Sequence, residues 1–484
     1  MRTRNLKSPL KSPDRRLFIG LLGLSALATT GCAVGPDYVR PSVPAPHTLT
    51  REPLATAGTA GPVQRQWWKA FGSRELDDLV QEALDHSPTI EAAQATLRAV
   101  RQNTIAQRGF FYPTVQASYS RTRQNVGQSL SPPLNSGDTL YTYHTAQLSV
   151  SYTPDIFGSN RRQVEGLQAA EESQRLQLQA ARLTLASNVA GGMLQAAMFA
   201  EQSALIEQAI SAAQEQLRHM RLQQRNGYAS GLDVATQQTL LVQLQQALPP
   251  LRKQLEQTRN LLATLAGRTP DAAPMVPHLS AFTLPELPQT VASALVEQRP
   301  DVRAAETDVQ QASAAIGIAQ AARLPQLSIT AALGGGATSF DRMFAAGNTT
   351  WGLGANLLQP LFAGGSLQAH QRAAEAGLDA AAAKYRGAVL SAFQDVANTL
   401  YALDTDARAL RMAEESETVS LTTRDLTQSQ LRHGYSAQPA ALAAEQSWLQ
   451  ARAAHVATRG TLLGDAVALY QALGGGVLAD SMVD

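Results

Sequence analysis

The sequence predicts an α+β chain dominated by long α-helical coiled coils and built as two tandem repeats of one unit. Three observations carry this prediction. Pro88 and Pro300 stand 212 positions apart, as do Pro113 and Pro325, and between them Ile90, Ala92, Ala93 and Leu97 answer to Val302, Ala304, Ala305 and Val309. Further on, Phe157 and Gln163 answer to Phe362 and Gln368, and Gly227-Tyr228 and Leu262 answer to Gly434-Tyr435 and Leu469. In each copy two stretches of alternating residues precede a very long run without proline. A period of roughly two hundred residues exceeds the ~20 to 50-residue units of stacked solenoids, so it marks pseudo-symmetry inside one architecture.

Taken in order, residues 1–31 read as a signal peptide. Arg2, Arg4, Lys7, Lys11, Arg15 and Arg16 precede an apolar run from Leu17 to Ala28, which at about twelve residues is too short to span a bilayer as a helix. Arg15-Arg16-Leu17-Phe18 loosely matches a twin-arginine signal, which leaves the general and twin-arginine export routes both open. The chain's single cysteine, Cys32, follows Gly31 and excludes an internal disulfide. It reads either as an unpaired thiol or as the acylated first residue of a mature lipoprotein, although Thr29 stands where such sites usually carry Leu. In such lipoproteins Ala33, rather than Asp, favours the outer membrane. Residues 32–65, with Pro36, Pro41, Pro44 and Pro46, should form an extended, lipid-anchored tether.

Repeat 1 spans residues 66–270. Trp67, Trp68 and Phe71 open it as packing anchors, and Leu76, Leu79, Val80 and Leu84 follow at helical spacing up to Pro88, where a second helix starts and runs to about Gln107. Val115, Ala117 and Tyr119 then alternate with Gln116, Ser118 and Ser120, and Leu148, Val150 and Tyr152 alternate with Gln147, Ser149 and Ser151. A period of two predicts strands, at about 113–121 and 143–154, joined by a solvated hairpin tip from Gln124 to Asp138. A long helix follows at about 158–226, on the order of 100 Å at 1.5 Å per residue. Leu176, Leu183, Ala190 and Ala197 recur in it at heptad spacing, flanked by Leu178 and Leu185, as a coiled-coil seam of partly small residues; Gly191-Gly192 is its weak spot. Gly227 and Gly231 break the run in a turn at 227–232. A shorter helix continues at about 233–266, with Pro249-Pro250 expected to interrupt it.

A linker at 271–288 leads to repeat 2, residues 289–476. Its strands fall at about 325–333 and 350–360 with a tip from Gly334 to Thr350, its long helix at about 365–433, its turn at 434–438 and its last helix at about 439–473, before a tail at 477–484. Small polar residues on one strand face and apolar ones on the other suit a barrel wall in lipid, and on the strands alone an ordinary soluble hairpin fits as well. The long helices favour the wall. Four strands per chain fall short of the ~8 that close a membrane barrel, so their edges must be sealed by other copies.

Net charge is +1, with +5 in the first 31 residues and −4 in the remainder, so the mature chain offers no footprint for nucleic acid. No enzyme constellation emerges. The eight histidines are scattered, no pair has zinc-motif spacing, and no acidic cluster resembles a calcium loop, so no catalytic residue, metal or cofactor is assigned. His219 and His433 read as solvated, and Asp404 and Asp406 as helix-surface charges. Gly334-Gly335-Gly336 and Gly474-Gly475-Gly476 lack a phosphate-loop lysine and read as hairpin and chain-end punctuation.

The leader ending at Cys32, Gly35-Pro36-Asp37-Tyr38, the Trp67-Trp68 to Phe71 opening, Gln359-Pro360-Leu361-Phe362 with Gly364-Gly365, and the closing Tyr470-Gln471-Ala472-Leu473 with its glycines are together a specific pattern. It resembles the outer-membrane factors of tripartite efflux systems, of the TolC and OprM type, nearest the NodT group of lipoproteins. The resemblance covers nearly all of the mature chain. It implies a homotrimer with a 12-strand transmembrane β-barrel continuous with a periplasmic α-barrel, in the outer membrane of a Gram-negative bacterium. It also implies a periplasmic adaptor and an inner-membrane pump of the RND type as partners. In that family the glycine turns, here Gly227, Gly231 and Gly434, lie at a periplasmic tip closed at rest, which assigns a gate to Leu232, Asp233, Arg432, Tyr435 and Pro439. An Asp233 to Arg432 link across the tip would hold it shut. Where many relatives carry acidic residues after the second turn, this chain has Pro439, Ala440 and Ala443, so an anionic ring does not carry over. A lipid-anchored coiled-coil scaffold without a pore, and the exit duct of a protein-secretion system, are the alternative readings.

Overall fold

The computed structural model describes residues 33–43, 64–126, 138–286 and 297–476. The signal peptide, Cys32, most of the tether and the tail 477–484 lie outside the described residues. Elements run in the order α1 (Arg74–His86), α2 (Pro88–Arg108), β1 (Thr114–Asn125), β2 (Leu140–Tyr152), α3 (Ser159–Arg225), α4 (Gly231–Leu265), α5 (Pro300–Ala321), β3 (Gln326–Ala337), β4 (Thr349–Leu358), α6 (Ser366–Arg432) and α7 (Gln438–Ala472). Helix ends agree with the sequence reading to within a few residues. Two compact units result, one of residues Met1–Arg40, Val100–Glu171 and Thr307–Ala382, the other of Pro41–Ala99, Glu172–Glu306 and Ala383–Asp484. Each unit takes segments from both halves of the sequence.

The first unit carries one antiparallel sheet in the order β1-β2-β3-β4. Its register sorts the side chains by chemistry. Val115, Val150, Ala331 and Leu353 form one cross-strand row, and Ala117, Leu148, Leu333 and Trp351 the next on the same face. Rows on the opposite face read Gln116, Ser149, Ala332 and Gly352, and Thr114, Ser151, Thr330 and Gly354. The apolar face stands in the open: Leu353 is 73% and Trp351 80% exposed. From Leu327 to Leu333 it covers about 20 Å of strand at ~3.3 Å per residue. Above it Tyr119, His144 and Phe340 cluster, with the Tyr119 hydroxyl 2.8 Å from His144 Nδ1.

The strands are longer at their tips than the sequence suggested. Gly334, Gly335 and Gly336 are not loop punctuation: they belong to β3 and pair with Gln147, Ala146 and Thr145. The reason is space. A Cβ at Gly335 would fall 2.1 Å from the Met343 carbonyl oxygen, and one at Gly336 would fall 2.2 Å from the Tyr143 hydroxyl, so only glycine lets the returning loop lie on the strand.

In the second unit Trp67, Trp68 and Phe71 are buried, and Trp67 stacks on Tyr470 with centroids 5.2 Å apart. Leu176, Leu183, Ala190 and Ala197 are all buried, with Leu178 and Leu185 beside them. Gly192 does not weaken α3; a Cβ there would meet Leu262 at 3.0 Å, so the glycine admits close helix contact. Gly474, Gly475 and Gly476 have positive φ, and a Cβ on Gly475 would sit 2.3 Å from Leu183. They wind the segment after α7 onto the core rather than merely ending the helix. On α1 the fourth buried position is Ala83, with Leu84 only half-buried.

The expected interruption at Pro249-Pro250 does not occur: α4 runs through both. Gln245, Gln246 and the prolines are exposed, so solvent can satisfy the carbonyls that the missing N–H groups leave free. Asp404 and Asp406 are not free surface charges. Asp404 is 11% exposed and ion-paired with Arg408, while Asp406 hydrogen-bonds Asp465.

Candidate functional site

The two turns assigned to the gate both belong to the second unit, and their first halves are built alike. After α3, Gly227 takes φ 82° and Tyr228 N–H donates to Gln223 O at 2.8 Å, with Gly227 N–H to Gln224 O at 3.0 Å. After α6, Gly434 takes φ 80°, Tyr435 N–H donates to Gln430 O at 2.9 Å and Gly434 N–H to Leu431 O at 3.1 Å. This is the six-to-one and five-to-two pairing that stops a helix on a left-handed residue, and it explains why glycine occupies both positions. Tyr228 and Tyr435 project into solvent, 84% and 85% exposed.

The second halves differ. At the start of α4 the Ser230 hydroxyl accepts from Asp233 N–H at 3.2 Å, while the Asp233 carboxylate accepts from Ser230 N–H at 2.9 Å and from its hydroxyl at 2.8 Å. This is a reciprocal capping box. The Ser230 hydroxyl first, and its amide second, hold the Asp233 carboxyl below the ordinary carboxylate range. The start of α7 has Ala437 at the cap with no side-chain hydrogen bond, and Pro439 in the first turn, where its missing N–H costs nothing.

The structure therefore brings Leu232 and Asp233 together with Gly227, and Arg432, Tyr435 and Pro439 together with Gly434. Leu232 is 75% exposed. Gly231 does not break the helix run as the sequence suggested; it is the first residue of α4, without positive φ. Within the chain Asp233 is engaged by its own cap, and among the described residues Arg432 forms no ion pair. Ser230 is legible in the sequence as the first residue of a Ser-x-x-Asp motif ahead of a helix.

Further along α6 and α7 lie groups that no local pattern announced. Arg424 lies 4.1 Å over the Trp448 ring and Arg452 lies 5.5 Å from it. Glu417 binds His455 Nδ1 at 2.5 Å, and Gln428 donates to Glu445 at 3.1 Å. Burial, and then the neighbouring Asp406, push the Asp465 carboxyl up to about 7.

Comparison with known proteins agrees with this architecture throughout. The family model for outer membrane efflux proteins matches residues 79–268 and 291–475. The pyoverdine export outer membrane protein OpmQ of Pseudomonas putida is 32% identical over 443 residues, covering 90% of this chain and 93% of that protein. Outer membrane protein OprJ of Pseudomonas aeruginosa is 30% identical, covering 82% of this chain and 84% of its own. Among solved structures, the outer-membrane channel OprN superposes with a TM-score of 0.80 at 25% identity, over 92% of this chain and 99% of that one. The open state of the Neisseria gonorrhoeae MtrE channel superposes at 0.82 and 26% identity, over 93% and 100%. With a long helical body, a small amphipathic sheet and these matches over both halves, the chain belongs to the outer membrane efflux protein family and is an outer-membrane channel component of an efflux system.

Proposed function

We propose that the chain works as a homotrimer whose three sheets close a 12-strand barrel and whose helices continue it as a periplasmic duct. In this reading small molecules pass from an RND-type inner-membrane pump, through a periplasmic adaptor, to the outside. Cys32 is acylated and anchors the chain, and the equal halves are tandem copies of one unit. The observation that carries the reading is the sheet. It has an apolar face on which Val115, Leu148, Leu333, Trp351 and Leu353 are exposed, and among the described residues its outer strands β1 and β4 pair on one side only, an arrangement that lipid tolerates only when neighbours complete the hydrogen bonding. Met412, Val419 and Leu426 add support. They repeat every seven residues along α6 and are 61%, 59% and 60% exposed, a seam that needs a partner helix.

The test is heat-sensitive migration of the detergent-extracted protein, followed by conductance in planar bilayers. A heat-labile trimer that conducts supports the reading. A monomer with no pore activity ends it. Glycine turns at the periplasmic tip form the gate, with Asp233 of one protomer facing Arg432 of a neighbour, a link weak singly but repeated by symmetry. Arg432→Glu should raise single-channel conductance, and unchanged conductance removes the link.

A further inference from the structure

Within the first unit, the residues that directly follow Cys32 are tied down by a set of specific hydrogen bonds. The Val34 amide donates to Phe157 O at 3.1 Å. Arg162, whose side chain is 7% exposed, donates to Val34 O and Gly35 O, each at 3.2 Å, and to Asp37 Oδ1 at 3.1 Å, while a fourth bond to Glu165 at 2.8 Å fixes the guanidinium. Ser313 on α5 donates to Pro36 O at 3.4 Å. Three glycines make room. A Cβ on Gly35, at φ 106°, would fall 2.5 Å from Gly317 Cα; one on Gly317 would fall 2.8 Å from Val34 O; and one on Gly158 would fall 2.6 Å from Ala33 Cα. A solvated tether needs none of this. The buried arginine, which bonds two backbone carbonyls and one carboxylate of the segment, and the glycine-on-glycine contact describe a receptor for this segment, formed by α3 and α5.

The place where the segment stops is equally specific. Ala33 lies against Gly158, beside the first turn of α3, whose opening amides are capped by Asp155. Phe157, which holds Val34, also lines a cavity of about 390 Å³ whose walls include Phe110, Pro154, Ile156, Ala321 and Pro325. Phe110 and Ile156 are exposed at its rim. Just beyond, Tyr152 and Ile329 begin the apolar face of the sheet.

We infer that this cavity seats the lipid of Cys32: the Arg162 clamp fixes the chain end at its mouth, and the acyl chains leave along Phe110 and Ile156 toward the apolar strand face. The inference rests on the acylation of Cys32 proposed above. It makes Arg162, Gly158 and Gly317 positioning residues for a covalently attached lipid, and it gives Gly35-Pro36-Asp37 a physical task, that of a strap.

The full-length protein, labelled in cells with a fatty acid carrying a diazirine within its first few carbons, provides the test. After irradiation, cross-links should concentrate in peptides containing Gly109–Tyr112 and Pro154–Phe157. Arg162→Ala should lower that fraction at least fivefold with total acylation unchanged, and Arg162→Lys should lower it less. Leu361 and Phe362, 92% and 91% exposed beyond the end of β4, serve as the internal control. Equal labelling of their peptide means the lipid is simply dissolved in the bilayer and overturns the inference. If no label enters the protein, it is the acylation of Cys32 that fails, and hydrogen exchange then judges the clamp. A Val34 amide protected at least tenfold in the wild type and freed in Arg162→Ala retains the strap, whereas one that exchanges freely in the wild type overturns it.

Discussion

The two helical hairpins, α3 with α4 and α6 with α7, have equal helix lengths of 67 and 35 residues but hold their distal parts together with a different balance of apolar and polar contacts. Toward its turn the first buries Leu205, Ala209, Ala213, Leu217 and Met220. Helix α6 of the second buries nothing beyond Leu403, and α7 buries only Ala441, Leu442 and Ala444 near the turn; the polar and cation-π contacts between their distal parts involve Glu417, Arg424, Glu445, Trp448, Arg452 and His455. Ser159 and Ser366, the first residues of the long helices, are 207 positions apart, as are Gly227 and Gly434. At that interval Ile210, Leu217, Leu241 and Leu248 stand where the second hairpin has Glu417, Arg424, Trp448 and His455. One backbone plan thus carries two kinds of cohesion. Apolar burial is indifferent to salt and pH, whereas paired charges near the surface respond to both. The second hairpin is the one conditions can loosen.

Substitution at the feature the hairpins share should give the largest effect. Gly227→Val and Gly434→Val each force a branched residue into left-handed backbone, at a cost of about 2 kcal/mol. Equal shifts in the urea midpoint of the helical circular dichroism are expected, and a large inequality would break the likeness of the turns. The next effect belongs to the second hairpin alone. With the Asp465 carboxyl raised to about 7 against 3.8 when unfolded, the native state holds an extra proton between those values. Its contribution is therefore full below about pH 4, declines as pH rises toward 7, and is lost above it. Asp465→Asn should remove this slope and stabilise the protein at pH 8, on the order of 1 to 2 kcal/mol once partial solvation is allowed for. Thr258, its counterpart in the first hairpin, gives no such slope.

Smaller effects test the differing helix starts. Ser230→Ala should destabilise α4 by about 1 kcal/mol, and Ala437→Ser should stabilise α7 by a few tenths to about 1 kcal/mol; hydrogen exchange in the first turns of α4 and α7 reads both. Two shifts of the same sign would mean that the second turn is already capped by other means. The smallest expected effect needs no mutation. Raising salt from about 0.05 to 1 M, where the Debye length shrinks to ~3 Å, should speed exchange in peptides around Arg424 and Trp448 and leave those around Leu217 and Leu241 unchanged.

The halves of the molecule that follow from local pattern were legible in the sequence. Proline-free runs bounded by Gly227 and Gly434 placed both long helices, the heptad from Leu176 to Ala197 named buried positions, and the alternation after Pro113 placed β1. What escaped depends on distant partners. Gly334 to Gly336 looked like a loop because the crowding by Met343 and Tyr143 that demands glycine comes from the other side of the hairpin. Pro249-Pro250 looked like a break because exposure, not sequence, decides whether the freed carbonyls find water. Arg162, Asp465 and Trp448 carry no local signature, since their meaning lies in residues tens to hundreds of positions away. The sequence makes Asp233 half of a link to Arg432 across the tip, while Ser230, three residues earlier, already engages it.

Because β1 and β4 are the free margins of the sheet, any ring of such chains must join unlike margins, the last strand of one molecule to the first strand of the next. Each seam is then the same junction repeated. A chain with a spoiled β4 margin and a sound β1 would still be admitted by one neighbour and would leave the circle unclosed. Coexpressed with the normal chain it should act as a poison subunit, disabling far more channels than its share of the pool.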